Sequence, residues 1–157
     1  MNHKQRFIAV PFALLILGSG AASAGQTINE AGTVACATDK WNESEPEKGH
    51  KLVEYAGRCI CINNDPAAPS RPHECVGKYE FMPDGSWKGS GTCISNYKDG
   101  DKLYQSFEEG SHLKEYLYTW TGGTGKYEGA SGGGTYTYES LTDTLSGGRF
   151  KGKIELR

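Results

Sequence analysis

The sequence predicts an all-β fold, an antiparallel meander of short strands that closes into a barrel or folds into a sandwich. Three observations predict it. Apolar and polar residues alternate with the two-residue period of a strand through the C-terminal half. Turn signals interrupt this alternation at short, regular intervals. No segment beyond the N-terminal leader carries a helical stripe, and at most one short helical turn is expected, in the acidic stretch 43–48.

The elements follow in chain order. Across residues 87–93, Trp87, Gly89, Gly91 and Cys93 share one side, opposite Lys88, Ser90 and Thr92. Residues 113–121 place Tyr116, Tyr118 and Trp120 together, and residues 135–139 read Thr, Tyr, Thr, Tyr, Glu. The cleanest alternation is 149–156, with Phe150, Gly152, Ile154 and Leu156 on one face and Arg149, Lys151, Lys153 and Glu155 on the other. That is the pattern of a half-buried antiparallel strand. Turns are expected at Pro83-Asp84-Gly85, Lys98-Asp99-Gly100-Asp101, Glu109-Gly110-Ser111 and Ser146-Gly147-Gly148.

Residues 1–24 read as a secretory signal peptide: Lys4 and Arg6 form a positive region, 7–17 is an uncharged, mostly apolar run, and Ala22-Ser23-Ala24 supplies a small-residue cleavage site. The apolar run is shorter than the ~20 residues a membrane-spanning helix needs. Residues 25–157 then form one β domain, exported to a periplasmic or extracellular space and free of the membrane after cleavage. Without Lys4 and Arg6, 15 of the 17 basic residues stand against 19 acidic ones, and no basic block remains. Nucleic acids and anionic membrane surfaces are therefore poor partners.

All five cysteines, Cys36, Cys59, Cys61, Cys75 and Cys93, lie in that exported part, where disulfides form. Five is odd, so at most two bridges form within one chain. Several pairings are open, and bridges drawn from Cys36, Cys59, Cys61 and Cys75 are favoured, because Cys93 occupies a core-facing strand position. One such bridge, Cys59 to Cys75, would tie down the proline-rich loop 63–73. Cys59, Cys61, His73 and Cys75 also offer three thiolates and an imidazole, a ligand set suited to zinc or copper. Their spacing matches no common zinc pattern and the compartment is oxidising, so disulfides are preferred and neither metal nor cofactor is expected.

Seven glycines, Gly122, Gly123, Gly125, Gly129, Gly132, Gly133 and Gly134, crowd one short segment between tyrosine-rich strands. Glycine in that setting lets a sheet bend or lets backbones pass closely. The segment Thr121-Gly122-Gly123-Thr124-Gly125-Lys126-Tyr127-Glu128-Gly129-Ala130, followed by the strand Gly134-Thr135-Tyr136-Thr137-Tyr138, resembles the glycine hairpin of the allene oxide cyclase and dirigent-like barrels. Ser90-Gly91-Thr92-Cys93 and Asp99-Gly100-Asp101 resemble segments of small secreted bacterial proteins with that barrel. The resemblance covers residues 76–156 and implies a single eight-stranded antiparallel barrel, often oligomeric, with a central apolar cavity. It implies no catalytic residues here, because the polar motifs of the enzymes in that group have no counterpart.

Catalytic motifs fail on local context. Gly129-Ala130-Ser131-Gly132-Gly133 has the spacing of a nucleophile elbow, but strand-like sequence flanks it on both sides. Gly125-Lys126 lacks the upstream glycine of a phosphate loop. His50, His73 and His112 fall in no metal or triad signature, and His112 beside Glu108 and Glu109 reads as a solvated loop. Asn42-Glu43-Ser44 fits a glycosylation acceptor. If Tyr116, Tyr118, Trp120 and Trp87 face inward, they line an aromatic pocket for a small apolar ligand; otherwise they fill a core. The favoured reading is a non-enzymatic ligand-binding, structural or interaction barrel. The alternative is a cavity enzyme of the cyclase or isomerase type, which requires an ionisable group projecting into the interior. The wholly apolar face of 149–156 argues against that alternative.

Overall fold

The computed structural model describes residues 25–157 apart from Ala67, so the expected signal peptide lies outside the described residues. Eight strands follow one another: β1 (Gln26–Glu47), β2 (His50–Asn63), β3 (Arg71–Phe81), β4 (Trp87–Asn96), β5 (Lys102–Gly110), β6 (Tyr116–Gly123), β7 (Ser131–Ser140) and β8 (Leu145–Leu156). Each pairs antiparallel with its neighbour in sequence, and β8 returns to β1, from Gln26↔Leu156 to Ala37↔Leu145. The result is a closed up-and-down barrel, which leaves no free edge along the closed portion. Its lower end holds Gln26 and Leu156; its upper end holds the β1–β2, β3–β4 and β7–β8 turns.

The expected turns at 83–85 and 98–101 are present, with Gly85 and Gly100 both at positive φ. Two other expectations are corrected. The acidic stretch 43–48 is strand and turn, because β1 runs to Glu47 paired with β2 beyond the barrel seam. Ser146, Gly147 and Gly148 belong to β8, and the turn falls at residues 141–144, closed by the Leu141 and Thr142 amides donating to the Leu145 carbonyl.

Inward side chains form two apolar clusters. The lower cluster comprises Leu103, Tyr118, Trp120, Tyr127, Ala130 and Ile154, with Tyr127 inserted by a 3-10 turn at Gly125–Tyr127. The upper cluster comprises Val53, Cys75, Tyr79, Cys93 and Phe107. Burying each large side chain contributes about 1.5–3 kcal/mol. Phe107 lies across Gly77 and Gly91, where a Cβ would strike its ring.

The glycine segment has a specific steric purpose. Gly134 of β7 and Gly152 of β8 are register partners, and a Cβ on either would collide with the opposite strand and with the Tyr118 hydroxyl. Gly133, at φ +150°, likewise lies against the Tyr118 carbonyl. These absent side chains open the space through which Tyr118 crosses the barrel.

Cysteine pairing is set by strand register. Cys36 and Cys59 are direct partners across β1–β2, and Cys75 and Cys93 across β3–β4, with Cα separations of 4.0 and 4.1 Å. The expected set of Cys36, Cys59, Cys61 and Cys75 is therefore corrected: Cys93 is bridged and Cys61 is the free, buried thiol. Facing the core did not exclude Cys93, because its partner faces the core beside it. The 63–73 loop is held instead by Asn63 Nδ2 donating to the Pro69 carbonyl at 2.6 Å and the Asn64 amide donating to Ala31 at 2.8 Å.

Candidate functional site

Between the two clusters lies a cavity of about 460 Å³. Its walls include Trp41, Tyr55, Tyr79, Phe107, Tyr136 and Tyr138, and Ser140 with residues 142–147 of the β7–β8 turn region form its upper rim. Arg71, His73 and Cys61 line its lower part. The interior is thus aromatic in the middle and polar at two levels.

The lower polar group begins with Glu30 on β1 and Arg71 on β3, whose side chains are 1% and 2% exposed and meet at 2.7 Å. Charges this deeply buried persist only when paired and hydrogen-bonded. Tyr118 donates to the second oxygen of Glu30 at 2.6 Å, through the space left by Gly134 and Gly152. The Arg71 guanidinium carbon sits 4.8 Å from the Trp120 ring centre and 5.1 Å from that of Phe150. Arg71 Nε also donates to His73 Nε2 at 3.2 Å. Arginine has only donors, so Nε2 must be the accepting nitrogen and the His73 proton sits on Nδ1. That proton points at Ser95 Oγ, 3.1 Å away. Burial, and then the neighbouring guanidinium, push the His73 pKa down to about 3, which keeps the ring neutral. Burial pushes the Cys61 thiol up to about 11.

The upper polar group is Glu109 on β5, a residue 5% exposed. Three phenols donate to its carboxylate: Tyr79 at 3.0 Å, Tyr136 at 2.5 Å and Tyr138 at 2.7 Å. None of the ion pairs among the described residues includes Glu109. Burial, and then the Glu109 charge, raise all three phenol pKa values above the ordinary tyrosine range, so each remains a donor.

Of the four aromatics singled out in the sequence, only Tyr118 lines the cavity. Trp120 packs below it against Arg71. Tyr116 and Trp87 pack against each other with ring centres 5.8 Å apart and planes tilted by 60°, and Tyr116 backs Tyr136 and Tyr138. The ligand set Cys59, Cys61, His73 and Cys75 cannot assemble, because Cys59 and Cys75 are bridged elsewhere and both His73 nitrogens are engaged. Glu108 and His112 are exposed, whereas Glu109 and Gly110 are buried at the end of β5, so the expected turn and solvated reading at 109–111 are corrected for those two residues. Sequence reasoning missed Glu30, Arg71 and Glu109. The signal for Glu109 was available in strand parity, since it shares the inward face with Leu103 and Phe107.

The chain is a closed eight-stranded barrel with polar groups inside an aromatic cavity, a fold similar to that of a dirigent protein. The structure is similar to that of the pterocarpan synthase dirigent protein GePTS1, with a TM-score of 0.53 and 10% identity over 85% of this chain and 86% of that one. It also aligns with the pterocarpan synthase dirigent protein PsPTS1 at a TM-score of 0.46 and 11% identity, over 83% of this chain and 94% of that one. No family model and no curated protein matches the sequence. At such identity the likeness to GePTS1 speaks to fold alone.

Proposed function

We propose that this chain is an exported barrel that binds a small molecule in its interior without transforming it. The observation that carries this reading is the cavity of about 460 Å³, walled by aromatic rings and bearing buried polar groups that would fix a ligand's orientation. A barrel built only for rigidity would fill that volume with side chains. The signal-like residues 1–24 and the two disulfides support export. Binding is tested by thermal shift and by the fluorescence of Trp41, which lines the cavity, against a broad panel of small aromatic and aliphatic compounds. A ligand present at about 100 times its Kd adds about 2.7 kcal/mol to stability. Val34→Trp, placed in the cavity wall, should abolish the response. A panel in which no compound raises Tm or changes Trp41 emission refutes the reading.

A second reading, a cavity enzyme of the cyclase or isomerase type, is supported by one observation. Glu109 supplies the inward ionisable group such an enzyme requires, and three phenols beside it would stabilise negative charge. The test is chemical: any compound that binds is incubated and recovered. Product formation that Glu109→Gln abolishes while binding persists selects this reading over the first.

A further inference from the structure

The charges that face the cavity do not cancel. Arg71 is the only basic residue in the lining, and its charge is matched at 2.7 Å by Glu30. His73 contributes none, because a ring that accepts from Arg71 and donates to Ser95 is neutral. Glu109 accepts from three phenols and donates nothing, the arrangement of an ionised carboxylate. Phenol hydrogen bonds stabilise that charge without neutralising it. The other acid in the lining, Asp143, stands at the exposed β7–β8 turn, where it adds to the negative potential of the mouth.

The walls around Glu109 are the complement of a cation. Trp41, Tyr55 and Tyr79 form one packed cluster, with Trp41 5.4 Å from Tyr79 and Tyr55 5.8 Å from it. Phe107 and Tyr136 continue the aromatic surface. Ring faces attract ammonium groups, and the attraction grows when water is excluded. An anionic ligand would meet Glu109 and Asp143 with no unmatched base to receive it. A neutral hydroxylated ligand could take the one remaining acceptor direction of Glu109 but would leave its charge uncompensated.

We infer that the cavity is built for an organic cation, an ammonium group carried on an apolar body, with Glu109 as its counter-charge and the surrounding rings as its cage. This inference rests on the ligand-binding reading and names the ligand class of the same site. A quaternary ammonium suits it because such a group needs no acceptor, only a negative potential and aromatic faces. A protonated amine suits it as well, because a carboxylate offers about four lone-pair directions and three are used.

The test compares three probes by calorimetry and Trp fluorescence at low salt: phenyltrimethylammonium, its neutral isostere tert-butylbenzene, and benzoate. The expected order is cation, then neutral, then anion, with the cation favoured over its isostere by about tenfold or more. Glu109→Gln should erase that preference, weakening the cation by about tenfold while leaving tert-butylbenzene within about threefold. Retained binding of the neutral probe also reports that the variant is folded. Equal or tighter binding of tert-butylbenzene to the parent protein overturns the cation inference and leaves the ligand-binding reading standing. So does cation affinity that Glu109→Gln does not change. If none of the three binds and the broad panel is also silent, both fall.

Discussion

Replacing Arg71 by methionine isolates the energetic role of the lower polar group. The methionine keeps an apolar stem between Trp120 and Phe150, so packing is largely retained. What disappears is the donation to Glu30 at 2.7 Å and to His73 at 3.2 Å. A carboxylate with 1% exposure is left with Tyr118 alone. Removing one partner of a buried pair costs about 3–5 kcal/mol, a large part of the about 5–15 kcal/mol that holds a typical domain together. Glu30→Gln should cost a similar amount by stranding Arg71. The double variant carries no buried charge, so its cost should fall short of the two single costs combined by about 2–3 kcal/mol. Urea unfolding at pH 7, followed by tryptophan emission with disulfides intact, measures all four proteins. With a slope near 2 kcal/mol/M, each single variant should lower the midpoint by about 2 M. Costs that add to within about 0.5 kcal/mol would refute the claim that the two residues act as one buried unit.

Four further outcomes follow from the same structure. His73 has a folded-state pKa of about 3 against about 6.5 unfolded, so only the unfolded chain gains this proton between those values. The stability this residue confers is complete above pH 6.5 and is lost as pH falls, by up to about 1.4 kcal/mol per pH unit, and His73→Gln should flatten that slope in pH-dependent urea titrations. An unchanged slope counts against a neutral, buried ring. The bridges span 23 and 18 residues, so replacing either pair with serine should cost about 3 kcal/mol. Iodoacetamide should find one thiol per chain in denaturant and react slowly with native protein at pH 8, and rapid native alkylation would contradict a buried Cys61. Gly152→Ala should cost about 1–3 kcal/mol by driving a methyl into the Tyr118 hydroxyl, and Tyr118→Phe in that background should recover part of the loss. Without such recovery, the glycine serves only the strand pairing.

Alternation was legible wherever polar residues faced water, and β7, β8 and β4 follow it. It failed along the start of β1, where Ala31, Gly32, Ala35 and Ala37 are too small and uniform to mark a face. Glu30 misled for a deeper reason. An acidic residue on an inward position violates the pattern unless its partner is known, and Arg71 lies 41 residues away. Arg71 itself was hidden at the end of a proline-rich loop. Glu109 sits beside Gly110-Ser111, so local turn chemistry outweighed strand parity, and its phenol partners stand 30 residues upstream and 27 and 29 residues downstream. The apolar face of β8 is real, with Phe150 and Ile154 buried, yet it represents one wall of eight. Polarity inside a barrel belongs to the whole circumference and cannot be judged from one strand.

The lower end of the barrel is stoppered by Leu103, Trp120, Tyr127 and Ile154, and the cavity meets solvent beside the β7–β8 turn. That mouth gives a guest a route in and out. Thr142 and Asp143 stand at that mouth, on the path of a passing molecule, and Asp143 also adds to the negative potential that a bound cation feels. Stiffening or enlarging the turn should slow or speed arrival and departure in equal proportion and leave the equilibrium constant unmoved. Residence time is thus tuned chiefly at the rim, and affinity chiefly around Glu109.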